Sequence, residues 1–331
     1  MKVVVADPNL VPFRDLLDAR LPEGAVLSMH PRFDEAAVIP DLAGAEVFVG
    51  PAFTPEMGRA ARRLRLVHVA GAGVDAVDRA ALPPGTILAN TFHHGRSIAE
   101  YAAMALLALN RELLVQDREL RAGRWHSSVY DPALSAPPVL AGQTVGLIGF
   151  GHIGGLAWER LRGFGMRGVA VGSRARPDDR ERAGRNGLEW LGGPDRLHEL
   201  LAGSDAVIVS VPLGPATEGL IGAAELAAMK PSALLVNVGR GPLVDERALY
   251  EALRDRRIRG AAIDVWYRYP AAGERTAEPS RFPFGELDNV LMTPHSSGVT
   301  AETYTGRIGD IAANITRLAE GGPLERVVAR A

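Results

Sequence analysis

Residues 144–154 read Thr-Val-Gly-Leu-Ile-Gly-Phe-Gly-His-Ile-Gly, an apolar run that passes directly into Gly149-x-Gly151-x-x-Gly154. No other segment limits the fold as tightly. The glycine spacing alone is weak, because a Gly-rich turn that binds nothing has the same pattern. Here it closes a strand and opens the helical stretch His-Ile-Gly-Gly-Leu-Ala-Trp-Glu-Arg-Leu, and the next apolar run, residues 169–173, follows at the distance of one βαβ unit. In such a unit Gly149 permits the tight turn and Gly151 lets backbone approach a pyrophosphate. Gly154 allows close helix–strand packing, and the helix N-terminus faces the anion. The segment predicts a dinucleotide-binding α/β domain.

The runs at 144–149, 169–173, 206–212, 233–239, 260–266 and 289–294 extend that unit into a doubly wound sheet. A separate alternation precedes it, with strands predicted over 3–6, 25–29, 46–50 and 65–71 and helical spacing between them. The stretch from Ser97 to Gly123 reads as one long amphipathic helix, and 301–319 as a final helix. Arg268 to Leu287 is a Pro/Gly-rich loop longer than most connections. A chain of 331 residues at roughly 100–200 per domain predicts two domains.

Composition narrows the functional classes. The formal net charge is −2 with no charge block at either end, so an electrostatic partnership with nucleic acid or a membrane surface is not expected. There is no cysteine, which excludes disulfides, thiolate nucleophiles and cysteine metal sites, and no metal is expected. The longest apolar helical pattern, Tyr101 to Leu109, is far short of the roughly 20 residues that span a bilayer, and the opening MKVVVADP reads as a first strand. The expectation is a cytoplasmic protein.

The end of the second strand discriminates between dinucleotides. An acidic residue there holds the ribose 2′-OH of NAD, whereas NADP needs it absent and an arginine nearby. This chain places Ser173, Arg174 and Arg176 at that point, with Asp178 and Asp179 beyond Pro177. Arginine pairs with or stacks over a 2′-phosphate and adenine, and a serine hydroxyl bonds the phosphate. A solvated loop would show the same residues. NADP is the expected cofactor, with NAD the alternative.

With these motifs in place, the chain resembles the D-isomer-specific 2-hydroxyacid dehydrogenases. The resemblance rests on Gly71-Ala-Gly73-Val-Asp75-Ala-Val-Asp78, Ile98-Ala-Glu100, Arg121-Ala-Gly-Arg-Trp125, Val236-Asn-Val-Gly-Arg240-Gly-Pro-Leu-Val-Asp245 and Thr293-Pro-His295. It implies two Rossmann-like or flavodoxin-like domains. The substrate domain is formed by both chain ends, 1–97 and 293–331, and the dinucleotide domain, 98–292, is inserted between them. It implies a homodimer, substrate contact from the Ala72 and Gly73 backbone, and cofactor contacts at His152, Ile153, Pro212, Thr217, Val238 and Asp264. His94 stands where relatives carry a cleft asparagine, and is either a substrate contact or an unrelated loop histidine.

The chemistry has its own requirements. Hydride transfer to a 2-keto acid puts negative charge on the carbonyl oxygen, which then needs a cation and a proton donor. Arg240 suits a bidentate grip on carboxylate and carbonyl, and His295, with an ordinary pKa of about 6.5, suits the proton donor. One departure stands out. Relatives place a glutamate where this chain reads Tyr269, in Asp264-Val-Trp266-Tyr-Arg-Tyr269-Pro270. A tyrosine hydroxyl orients an imidazole without charging it, so His295 is expected to titrate about one unit below its counterparts. The reading is an NADP(H)-dependent oxidoreductase of small 2-keto and 2-hydroxy acids. Two alternatives stand beside it: oxidation of a small anion as in formate dehydrogenases, which also lack that glutamate, and a non-catalytic NADPH-binding regulator.

Overall fold

A computed structural model describes residues 1–271 and 273–331. Position 272, inside the loop expected over 268–287, lies outside the described residues. The chain divides into two compact units. One comprises Met1–His94, Pro270–Thr276 and Val299–Ala331; the other comprises Gly95–Tyr269 and Ala277–Gly298.

In chain order the first strands are β1 (Lys2–Val5), β2 (Val26–Met29), β3 (Val47–Val49), β4 (Leu66–His68) and β5 (Ile87–Ala89). The second unit holds β6 (Thr144–Ile148), β7 (Arg167–Val171), β8 (Trp190–Gly192), β9 (Ala206–Val209), β10 (Leu234–Asn237), β11 (Gly260–Ile263) and β12 (Val290–Met292). The last strand, β13 (Val327–Arg330), belongs to the first unit.

The first unit's sheet runs β13-β5-β4-β3-β1-β2, parallel except for the antiparallel edge β13. Val3, Val4 and Val5 are fully buried, which is why β1 reads as an unbroken apolar run rather than an alternation. The Ala301–Glu320 helix lays Tyr304, Ile308, Ile311 and Ile315 on one face of this core. It begins where the Thr300 hydroxyl accepts the Thr303 amide at 3.2 Å.

The second unit's sheet runs β12-β11-β10-β9-β6-β7-β8, all parallel. Strand order reverses between β6 and β9. That switch point opens a crevice at the carboxyl ends of the strands, where open α/β sheets bind ligands.

Two expectations change. The single helix expected over 97–123 is two, Gly95–Asn110 and Leu113–Arg121. Arg259 donates to the Asn110 carbonyl at 2.6 Å, occupying the acceptor a continuing helix would use, and Glu112 turns the chain at φ +53°. β5, β8 and β13 were not expected; at three or four residues each they are too short to show a period.

Candidate active site

The second unit gathers its chemistry at the carboxyl edge of its sheet. After β6, Gly149 takes φ +98°, and a Cβ there would lie 2.9 Å from Val211 Cγ1. At Gly154 a Cβ would meet the Gly149 carbonyl oxygen at 2.0 Å, so only glycine lets the helix start this close to the strand. Gly151 has open space where its Cβ would be, and it precedes the His152–Leu161 helix, whose first turn has no side-chain cap. Uncapped amides beside an open glycine fit a pyrophosphate. His152 is exposed and its ring covers Gly95, while Ile153 packs on the core.

After β7, Ser173, Arg174 and Arg176 are all exposed. Of the two carboxylates beyond Pro177, Asp178 is exposed and Asp179 is buried and committed. It accepts the Arg176 amide and the Arg182 guanidinium, each at 2.7 Å. Neither the Arg174 nor the Arg176 guanidinium has an ion-pair partner among the described residues. This loop therefore offers positive charge and a hydroxyl, and it fits a phosphorylated ribose.

After β9, the Thr217 hydroxyl donates to the Pro212 carbonyl at 2.8 Å and accepts the Gly214 amide at 2.9 Å, folding 212–217 into a turn over the crevice side of the sheet. Val238 is buried at the end of β10. Arg240 follows it, with its backbone fixed by the Asn237 side-chain amide, which donates to the Arg240 carbonyl at 3.0 Å. Its Nη1 donates to the Gly239 carbonyl at 2.9 Å, and it is partly exposed.

Asp264, at the end of β11, is fully buried. Its carboxylate accepts the Thr293 hydroxyl at 2.6 Å, the Ser296 amide at 2.9 Å and the Ser297 amide at 3.0 Å. These bonds brace a turn in which His295 adopts φ +56°, a conformation that costs a non-glycine residue about 1 kcal/mol and needs such support. The Gly95–Asn110 helix adds two hydroxyls. Tyr101 bonds Thr293 at 2.7 Å, and Ser97 donates to the Ser297 carbonyl at 2.6 Å. Burial pushes the Tyr101 phenol up to about 12, so it remains a neutral donor. Sequence reasoning missed Thr293, Ser296, Ser297, Tyr101 and Ser97. The polar run Thr-Pro-His-Ser-Ser after an apolar strand was the available signal.

His295 is held below its ordinary pKa. Loss of hydration among the surrounding protein atoms lowers it most; the Asp264 charge opposes that, and the Arg240 charge reinforces it. Arg240 and His295 are thus close enough to feel each other's charge.

Tyr269 acts differently from the expectation. Its hydroxyl accepts the Trp266 amide at 3.0 Å, and among the described residues no hydrogen bond joins it to the imidazole. Its ring instead lies 5.6 Å from the His295 ring, tilted by 47°. The contact with the imidazole is one of packing.

Ala72, Gly73 and His94 belong to the first unit, at the carboxyl edge of its own sheet. The Asn90 side chain donates to the Ala72 carbonyl at 2.9 Å, and the Thr91 amide to the Gly71 carbonyl at 3.2 Å. These bonds fix the 71–73 loop through its carbonyls. His94 is buried, with Nδ1 3.5 Å from Arg307 Nη2.

Comparison with known proteins agrees with this geometry. Residues 103–297 match the family model of the D-isomer specific 2-hydroxyacid dehydrogenase NAD binding domain. The D-3-phosphoglycerate dehydrogenase of Mycobacterium leprae is 35% identical over 288 residues, which cover 86% of this chain and 51% of that protein. The glyoxylate reductase of Korarchaeum cryptofilum is 33% identical over 270 residues, 80% of this chain and 76% of that one. A solved structure of the acyclic imino acid reductase Bsp5 in complex with NADPH and D-Arg has a TM-score of 0.79 at 25% identity, covering 99% of this chain and 100% of that one. The sheet order and the glycine turn define a nicotinamide-dinucleotide-binding fold. The chain belongs to the D-isomer-specific 2-hydroxyacid dehydrogenase family. It spans about half the length of the phosphoglycerate dehydrogenase relatives it matches.

Proposed function

We propose that this protein is an NADPH-preferring reductase of small 2-keto acids, acting in reverse on 2-hydroxy acids. The observation that carries the reading is a guanidinium and an imidazole coupled by charge at the sheet edge that bears the glycine turn. A bound nicotinamide dinucleotide supplies or takes up the hydride. Arg240 holds the substrate's carboxylate and carbonyl and stabilises the charge that develops on the carbonyl oxygen. His295 gives that oxygen its proton in reduction and removes it in oxidation.

The cofactor preference rests on Ser173, Arg174 and Arg176 and on the commitment of Asp179 to Arg176 and Arg182. Arg174→Ala is expected to weaken NADPH binding about tenfold and to leave NADH binding within twofold, because a charged hydrogen bond to phosphate is lost from one ligand only. Fluorescence titration of both dinucleotides reads this. Equal affinities in the unaltered protein, or equal losses in the variant, would reject the preference.

The pH dependence follows from His295. Reduction needs the imidazolium, and the folded pKa is depressed, so reduction falls as pH rises through that lowered value. Tyr269→Glu places a carboxylate beside the ring and is expected to move the falling limb upward by about one unit. An unmoved limb in a pH–rate profile would show that position 269 has no electrostatic access to His295.

A further inference from the structure

The Gly95–Asn110 helix turns an apolar stripe to the core of the second unit, where Ile98, Ala102, Ala105 and Leu106 are buried. Two hydroxyls stand beside that stripe. Ser97 and Tyr101 are four residues apart, so they lie one above the other on a single helix face. Phenylalanine would fill the place of Tyr101 as well, and a hydroxyl taken out of water is costly unless it is bonded. Both hydroxyls are bonded, and both to one short stretch of chain.

Tyr101 meets the Thr293 hydroxyl at 2.7 Å, and Ser97 donates to the Ser297 carbonyl at 2.6 Å. Thr293 and Ser297 are themselves four residues apart, and His295 lies midway between them. The direction of the Tyr101 bond is fixed. Thr293 gives its single hydroxyl proton to the Asp264 carboxylate at 2.6 Å, so the Tyr101 phenol is the donor to Thr293. The result is a chain from phenol to hydroxyl to carboxylate in which each bond polarises the next. The backbone of Thr293 is equally committed. Its amide donates to the Ile263 carbonyl at 3.1 Å, and its carbonyl accepts the Trp266 indole at 2.8 Å and the His295 amide at 3.0 Å. Beyond His295, the same Asp264 carboxylate accepts the Ser296 and Ser297 amides. Asp264 thus grips both ends of the turn from the sheet, and the hydroxyl pair grips both ends from the helix. His295, at φ +56°, is in a conformation that a non-glycine residue keeps only where its surroundings enforce it.

We propose that Ser97 and Tyr101 are positioning residues for the acid/base: by clamping Thr293 and Ser297 they hold the His295 imidazole where it transfers its proton. The proposal deepens the reductase reading and rests on it. Both hydroxyls act through the turn, while Arg240 and His295 perform the reaction. The groups that face His295 are Asp264 at the end of β11, Arg240 after β10 and the Tyr269 ring. Its pKa is depressed chiefly because the turn keeps the ring from water, so a turn released at one end should let that pKa climb back toward its ordinary value.

The test uses Tyr101→Phe, Ser97→Ala and Ser97→Thr in the full chain. Tyr101→Phe and Ser97→Ala are each expected to lower kcat for keto acid reduction about tenfold, with KM and the dissociation constant of NADPH within about twofold, because a misplaced reacting group loses rate rather than binding. The His295 titration, followed by NMR of its ring proton and assigned through its loss in His295→Asn, should move up by about half a unit in both variants, and the falling limb of the pH–rate profile with it. Ser97→Thr keeps the hydroxyl and should keep both values. A loss of kcat with the His295 titration unmoved would make the pair a support of the fold and overturn the proposal, and so would an unchanged kcat.

The titration needs no turnover, which separates this from failure of the reductase reading. If no keto acid is reduced but His295 moves up in Tyr101→Phe and Ser97→Ala and not in Ser97→Thr, the clamp stands and the reaction assignment falls. If keto acids are reduced and the titration stays in place in all three variants, the clamp falls and the assignment stands. Should Tyr101→Phe not fold, the two Ser97 variants decide between these outcomes.

Discussion

Arg240→Leu is expected to lower kcat/KM for 2-keto acid reduction by about a thousandfold while leaving the dissociation constant of NADPH within about twofold. Removing one preorganised donor from a developing oxyanion costs roughly 10²–10³ in kcat, and losing the grip on the carboxylate adds to it. The backbone at this position is held independently, by the Asn237 side chain on the Arg240 carbonyl and by the 3.1 Å bond from the Gly239 amide to Asn237 Oδ1. The loss therefore belongs to the guanidinium. Arg240→Lys should recover only a fraction, since a point charge cannot bridge carboxylate and carbonyl in one plane. Removing Arg240 also removes a charge that depresses His295, so any residual activity should fall off at a higher pH than in the unaltered protein. Steady-state kinetics and dinucleotide titration on both variants check these points. A leucine variant within tenfold of normal would remove Arg240 from the reaction.

The second large effect is at His295. His295→Asn is expected to reduce kcat by about 10²–10⁴ with the lowered pH limb abolished, as follows when the general acid is removed. Asparagine is the informative substitute. His295 stands at φ +56°, and asparagine tolerates that region better than alanine does, so the Asp264-braced turn is kept while the proton donor is lost. His295→Ala adds backbone strain to the loss of the acid. If the two variants lose equal activity at equal thermal stability, the chemistry alone accounts for the effect. If only the alanine variant is impaired, the residue serves the turn and not the reaction.

Much of this site was legible because its chemistry sits where a parallel sheet must put it. Gly149, Arg240, Asp264 and His295 each follow an apolar run, and apolar runs were the strongest signal in the chain. The doubly wound character of the second sheet followed from the same runs, while its strand order did not. What stayed hidden depended on contacts between segments distant in sequence. The helix break at Asn110 is made by Arg259, which no local period encodes. Tyr101 lies in an apolar stretch and reads as core, although its hydroxyl reaches Thr293. The role of Asp264 as the brace of the histidine turn required knowing that Ser296 and Ser297 present their amides to it. Tyr269 was read as an orienter of the imidazole, whereas its hydroxyl accepts the Trp266 amide in a local turn.

The most direct test of the reductase reading is the initial rate of NADPH and NADH oxidation by the unaltered protein with a series of 2-keto acids. The expected result is turnover of at least one keto acid, faster with NADPH, lowered by about 10²–10⁴ in His295→Asn and declining as pH rises through the depressed His295 pKa. Absence of turnover with every keto acid, alongside reduction of NADP by formate, would contradict it and place Arg240 and His295 in the oxidation of a small anion. NADPH binding with no reaction in either direction would contradict it as well, and leave a dinucleotide-binding protein that does no chemistry.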